Sequence, residues 1–216
     1  MDYIIQKIVD TIDSDYEILS VPLRAEHYAQ FSNCYAGVTE KVRRSGGRVQ
    51  YGWLVAHTHF LCEAVHHAVW ESPDGALLDV TPYHKPTDSI LFIPDDRYIY
   101  DGVPIDNVRI NVSGKLIVDD FIIIAHLVER IRANGIRKDE SRLVMSFELG
   151  MLHNKYVNYG QSMVSYLGKE INKVPDECFC GSSKPFANCH HIKLWEEIDK
   201  DIRGIPDKLI HLQNYF

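Results

Sequence analysis

The sequence has little cysteine, and what it has is unevenly spread. Five cysteines stand in 216 residues, at positions 34, 62, 178, 180 and 189. Three fall within twelve residues of one another and two lie far upstream, which excludes the disulfide framework of a small secreted protein. Positive charge is also short: 23 Lys and Arg face 30 Asp and Glu, for a formal net charge of −7. That balance argues against a broad phosphate-binding face and so against general nucleic-acid binding. Long apolar runs are missing. The most apolar window, 116–127, carries Asp119, Asp120 and His126 and is too short to span a bilayer. The first residues, MDYIIQKIVDTIDSDYE, lack the basic segment and apolar run of a secretory leader. No repeat or low-complexity tract is visible. These absences give the expectation of a cytoplasmic globular protein with no membrane insertion, whose thiols stay free.

What is present divides the chain in three. Apolar residues at 4, 5, 8, 9 and 12 predict a short opening helix, and 16–23 reads as a strand or extended lead-in. Residues 34–44 predict a helix capped by Ser32 or Asn33 and ended by Gly46-Gly47. Segments 48–56, 63–71, 76–81 and 90–93 read as strands, the second and third joined by the turn Ser72-Pro73-Asp74-Gly75. A helix is expected over 119–133, capped by Asp119 or Asp120 and stopped by Asn134-Gly135. One or two helices are expected over 138–173, broken near Tyr159-Gly160 and ended by Pro175, with a last helix near 193–202. The fold class is α+β: a mixed domain over 1–110, a helical region over 111–175 and a small tail over 176–216.

The tail carries the sharper pattern. Residues 178–191 read Cys-Phe-Cys-Gly-Ser-Ser-Lys-Pro-Phe-Ala-Asn-Cys-His-His. Two thiolates one residue apart reach a single ion when the chain turns between them, and Gly181-Ser182 supply the turn. Cys189 and His190 then return to complete three thiolates and one imidazole, a closed tetrahedral set for Zn²⁺ that leaves no place for water. His191 competes with His190 as the fourth ligand. Such a site is structural, and in small modules the metal contributes on the order of 10 kcal/mol to folding. The stretch 176–196 resembles the SEC-C motif, Cys-x-Cys-x8-Cys-(Cys or His), named after the tail of a preprotein translocase motor. The resemblance implies Zn²⁺, with iron as the alternative, and docking on ribosome- or secretion-linked protein partners.

The second pattern is a thiol constellation. A cysteine at a helix start meets the positive end of the macrodipole and free backbone N–H groups, which favour thiolate over thiol. Cys34 holds that place. If Pro73-Asp74-Gly75 form a three-residue loop, Ser72 pairs with Ala76, Asp79 lies opposite Val69 and His67 opposite Thr81. His67 and Asp79 then share a face, with the carboxylate able to orient the imidazole. A loop of two or four residues would bring His66 to Asp79 instead. Nucleophile, base and orienting carboxylate make a Cys34-His67-Asp79 triad.

The order resembles the papain-like superfamily and its transglutaminase-like branch, through Asn33-Cys34-Tyr35, His67-Ala68-Val69-Trp70 and Asp79-Val80-Thr81-Pro82. The resemblance covers 25–95 and implies a cysteine peptidase, amidase, deamidase or acyltransferase acting on a protein or peptide. The glutamine that serves the oxyanion hole in papain stands six residues before the cysteine, where this chain has Tyr28. The Cys34 N–H with Gln30 or Asn33 are the candidates here. Two rivals remain. One is a non-catalytic adaptor that docks through the tail. The other is a metal site from the crowded His57, His59, Cys62, Glu63, His66 and His67.

Overall fold

The computed structural model describes residues 3–13, 17–138, 143–169 and 174–213. Residue 16 of the expected lead-in, and residues 139–142 and 170–173 of the expected helical stretch, lie outside these. The chain is mixed helix and antiparallel sheet. Helix α1 (Tyr3–Ile12) and strand β1 (Leu19–Pro22) precede α2 (Cys34–Ser45). Strands β2 (Arg48–His57), β3 (Leu61–Glu71), β4 (Leu77–Leu78), β5 (Ser89–Pro94) and β6 (Val108–Asn111) follow. The second half holds α3 (Leu116–Ala133), a small hairpin of β7 (Ile136–Arg137) and β8 (Leu143–Val144), α4 (Phe147–Leu167) and α5 (His190–Ile202).

The sheet runs β1-β5-β2-β3-β4, all antiparallel, with β6 pairing the start of β3. Strand period sorts its side chains onto two faces. Trp53, Val55, Cys62 and Ala64 join Ile8 and Ile12 of α1 on one face, where Val38 of α2 packs against Ala68. Val21, Val69, Ile90 and Phe92 gather on the other, with Leu23, Leu54, Leu77 and Tyr83 around them. Among the described residues no helical residue joins that second cluster.

The expected hairpin is present. Ser72 N–H donates to the Ala76 carbonyl at 2.9 Å, and Gly75 takes φ +87°, which only a residue without Cβ adopts freely. Trp70 pairs with Leu78 and Glu71 with Leu77, the register of a three-residue loop. The ladder then stops, so the expected pairs of Asp79 with Val69 and His67 with Thr81 do not form. Asp79 instead bridges Leu23 in parallel, donating its N–H to the Pro22 carbonyl and accepting from Arg24 N–H, both at 2.9 Å. Leu23 extends the opposite edge of the sheet. The contact therefore joins the two edges, and the sheet curls toward a barrel.

This departure opens β3. On the side of β4 and β6, β3 has strand neighbours at 61–64 and at 70–71, and among the described residues none between. His67 sits in that gap.

Three helical expectations are corrected. Helix α3 starts at Leu116, with Lys115 at the capping position. Neither Asp119 nor Asp120 caps it, because Asp119 accepts from Asn111 and Asp120 is engaged by α5. Helix α4 is unbroken at Tyr159-Gly160, where Gly160 lies against Phe121 and Ile124 of α3. Tertiary packing outweighs the roughly 1 kcal/mol helix cost of that glycine. Helix α5 begins at His190 rather than near 193. Phe186, Leu194, Ile198 and Ile205 of the tail share one core with Ile124, Leu127, Tyr156 and Met163 of α3 and α4. Among the described residues no helix is long and apolar enough to cross a membrane.

Candidate active site and metal centre

Cys34 is the first residue of α2, at the end where backbone N–H groups lack helical partners. It is buried and clusters with Ala68 and Val80, the residues that directly follow His67 and Asp79. The Cys34 thiol lies within hydrogen-bonding reach of the His67 ring. His67 Nε2 meets Asp79 Oδ2 at 3.0 Å. Asp79 is fully buried, and its carboxylate accepts three bonds. Thr81 N–H donates to Oδ1 at 2.8 Å, and Tyr83 Oη donates to Oδ2 at 2.8 Å beside His67. The structure thus brings Cys34, His67 and Asp79 together.

The charges follow from this packing. Burial opposes charge on His67, but the neighbouring Cys34 and Asp79 outweigh it and raise the ring's pKa to about 10. Burial likewise opposes charge on Asp79. His67, the Thr81 N–H and Tyr83 overcome that penalty and hold the carboxyl below its usual range. The arrangement favours an imidazolium braced by a carboxylate next to a thiol.

His66 has a different position. Its Nδ1 meets Tyr35 Oη at 2.8 Å and its Nε2 meets the Tyr98 carbonyl at 2.8 Å, on the face that carries Trp53. Burial pushes its pKa down to about 4. Both ring nitrogens are engaged, and it is a core histidine. The metal site expected from His57, His59, Cys62, Glu63, His66 and His67 does not form: among the described residues these side chains do not converge. Alternation along β3 sends Cys62 and His66 to one face and Glu63 and His67 to the other, while His57 pairs across the ladder with Cys62.

Gln30 and Asn33 sit at the entrance to α2. The Gln30 carbonyl accepts from Asn33 N–H at 3.2 Å, and Asn33 occupies the capping position without a side-chain capping bond. Between them Ser32 takes φ +59°, a left-handed conformation held two residues ahead of the thiol. The sequence reading missed Tyr83. It lies past the end of β4, where strand alternation gives no signal.

The tail brings four ligand atoms together. Cys178, Cys180, Cys189 and His190 place Sγ, Sγ, Sγ and a ring nitrogen within 4.8 Å of one another. Cys180 and Cys189 sulfurs are 3.7 Å apart, and His190 Nδ1 lies 3.0 Å from Cys178 Sγ and 3.4 Å from Cys189 Sγ. A tetrahedral Zn²⁺ with bonds of about 2.3 Å to sulfur has ligand edges of about 3.8 Å, shorter where nitrogen replaces sulfur. The group therefore fits an ion such as Zn²⁺. His191 is not a member. Its Nδ1 meets Asp120 Oδ2 at 2.7 Å, and Trp195 Nε1 donates to Asp120 Oδ1 at 3.0 Å, so this face of α5 is fastened to α3.

No family model, curated protein or solved structure matches the chain, so the reading of both sites rests on their geometry.

Proposed function

We propose that the chain is a thiol-dependent acyl-transfer enzyme acting on an amide of a protein or peptide, with a zinc-binding tail of the SEC-C type as its docking element. The observation that carries this reading is the buried His67, held between the Cys34 thiol and the Asp79 carboxylate.

In the reaction, Cys34 Sγ attacks the amide carbon as a thiolate, and the carbonyl oxygen takes up negative charge near the Cys34 N–H. The C–N bond breaks, and His67 delivers its proton to the departing amine, leaving a thioester on Cys34. Water or a second amine then attacks the thioester carbon. Its proton passes to His67, the C–S bond breaks and the thiolate returns. Asp79 keeps the Nε2–H of His67 pointed inward, so that Nδ1 is the atom exchanging protons with the thiol and the substrate. Gln30 and Asn33 flank the oxyanion position. The Cys178, Cys180, Cys189 and His190 set, being closed, would hold the tail in shape and take no part in the chemistry.

Carboxamidomethylation near neutral pH tests the proposal. Cys34 is expected to react well ahead of a model thiol, and Cys34→Ala to abolish amide hydrolysis or transfer. Ordinary thiol reactivity, with every activity intact in Cys34→Ala, would overturn it.

A second reading, a partner-binding adaptor, draws on the exposed Phe147 and Met151, one turn apart at the start of α4, and on the exposed Ile136 and Val144, paired between β7 and β8. Exposed apolar side chains of this kind fit a protein contact. Partner capture that survives Cys34→Ala and is lost in Cys178→Ser supports this reading, and capture retained after zinc removal counts against it.

A further inference from the structure

We infer a second metal site, built from Asp106, His126 and His211, for a divalent transition ion such as Zn²⁺. It is independent of the thiol chemistry. Asp106 lies just before β6, His126 in the middle of α3 and His211 in the segment after α5. Their ligand atoms fall within 4.8 Å of one another. That segment is laid beside Asp106 by its backbone: Ile210 bridges Ile105, and Asp106 N–H donates to the Ile210 carbonyl at 3.0 Å.

The two oxygens of Asp106 have different neighbours. Oδ1 accepts from the Asn107 N–H at 2.9 Å and from Arg109 Nη1 at 3.1 Å. Oδ2 is turned to the two rings, 2.6 Å from His126 Nδ1 and 3.8 Å from His211 Nδ1. A carboxylate held through one oxygen and presented through the other is how proteins orient a metal ligand. His211 is oriented in the same manner, because its Nε2 meets Asp207 Oδ1 at 2.9 Å. With its Nε2 edge turned to Asp207, the ring presents its Nδ1 edge to the Asp106 oxygen.

The two atoms are 3.8 Å apart, beyond the reach of a hydrogen bond. Arg109 is shared between Asp106 and Glu63, whose Oε1 accepts from Arg109 Nε at 2.8 Å, and Asp207 has Arg130 at 3.8 Å. Asp106 itself is buried.

A cation would sit at Oδ2, between the two rings. Bonds of about 2.0–2.1 Å in a tetrahedral site give ligand edges of about 3.3 Å, between the two distances to Oδ2. His126 would open by several tenths of an ångström, its Nδ1 proton passing to solvent, and His211 would close by about half an ångström. Two imidazoles and one carboxylate leave a fourth position on the more exposed His211 side, the pattern of an open rather than a closed site.

The test counts metal and reads its ligands on the full chain. Saturated with Zn²⁺ and freed of excess, the protein is expected to carry two equivalents, and His211→Ala and His211→Gln one each. Loaded with Co²⁺, the first equivalent should show thiolate-to-metal charge transfer. The second should add only ligand-field bands, and these should be lost in the His211 variants and kept in Cys189→Ser. Affinity for the second ion should fall at least about 100-fold without His211. One equivalent in the parent protein at saturating metal, or two retained in both His211 variants, would overturn the inference.

Discussion

Replacing Asp79 by asparagine tests the site without changing its shape. Thr81 N–H holds one oxygen of Asp79, so the asparagine carbonyl takes that place and its amide falls where Oδ2 stood, facing His67 and Tyr83. A donor now faces Nε2. The neutral ring answers by carrying its proton on Nδ1, toward Cys34, where it cannot accept the thiol proton. The imidazolium also loses a charged partner, a bond worth about 1.5–3 kcal/mol. At 1.36 kcal/mol per pKa unit this lowers the pKa of His67 by about one to two units from its value of about 10. Carboxamidomethylation of Cys34 at pH 7, followed on its own peptide by mass spectrometry, should slow about 10- to 100-fold. Stability should change in a set direction as well. A raised histidine pKa contributes stability that is complete below the unfolded value of 6.5 and lost as pH rises through about 10. In Asp79→Asn that loss is complete at lower pH, so urea midpoints of variant and parent should differ most near pH 7 and converge as pH rises toward about 10. A folded Asp79→Asn protein with the parent's alkylation profile would refute the orienting role of the carboxylate.

Other outcomes follow from the same geometry. His66→Gln should cost about 1–3 kcal/mol in urea denaturation by removing the ring that meets Tyr35 Oη and the Tyr98 carbonyl, yet leave Cys34 alkylation intact, whereas His67→Gln should abolish the fast alkylation. At Gly52, opposite His67 in the ladder, a Cβ would meet the Ile93 carbonyl oxygen at 2.2 Å and the Phe92 ring at 2.6 Å, so Gly52→Ala should destabilise by about 1–3 kcal/mol by the same measure. Cys189→Ser should lose the thiolate-to-cobalt charge transfer and make 174–213 readily cleaved by protease. Trp195→Phe orphans one oxygen of the buried Asp120 and should lower stability by about 1–3 kcal/mol while retaining the thiolate-bound metal.

Local chemistry was readable and long-range closure was not. The turn at Pro73-Asp74-Gly75 fixed a register that reappears in the Trp70–Leu78 pair, and the helix start at Cys34 follows from the residues around it. The four tail ligands were legible because a metal site imposes spacing on the chain. The separation of His190 from His191 was not, since it depends on Asp120 of α3, far away in sequence. The end of β4 was missed for a similar reason: its alternating pattern continues, but Pro22 and Arg24 compete for the backbone of Asp79 and win. Strand β6 is too short to announce itself. Gly160 signalled a break that close packing on α3 overrides. Asp106, His126 and His211 come from three distant segments, and only the folded chain brings them together.

The bridge between Leu23 and Asp79 bears on the order in which the molecule assembles. It joins two segments far apart in the chain, and β1 itself pairs with β5, which is made later still. Contacts of such long span form slowly, because loop closure has to precede any gain from them. The helix with its thiol and the hairpin with its histidine can form early and nearby. The carboxylate takes its place only when the edges of the sheet meet. A chain still emerging from synthesis, or a fragment that ends before residue 89, would thus carry the cysteine and the histidine without their partner. In the proposed enzyme, reactivity would therefore appear only at the final step of folding.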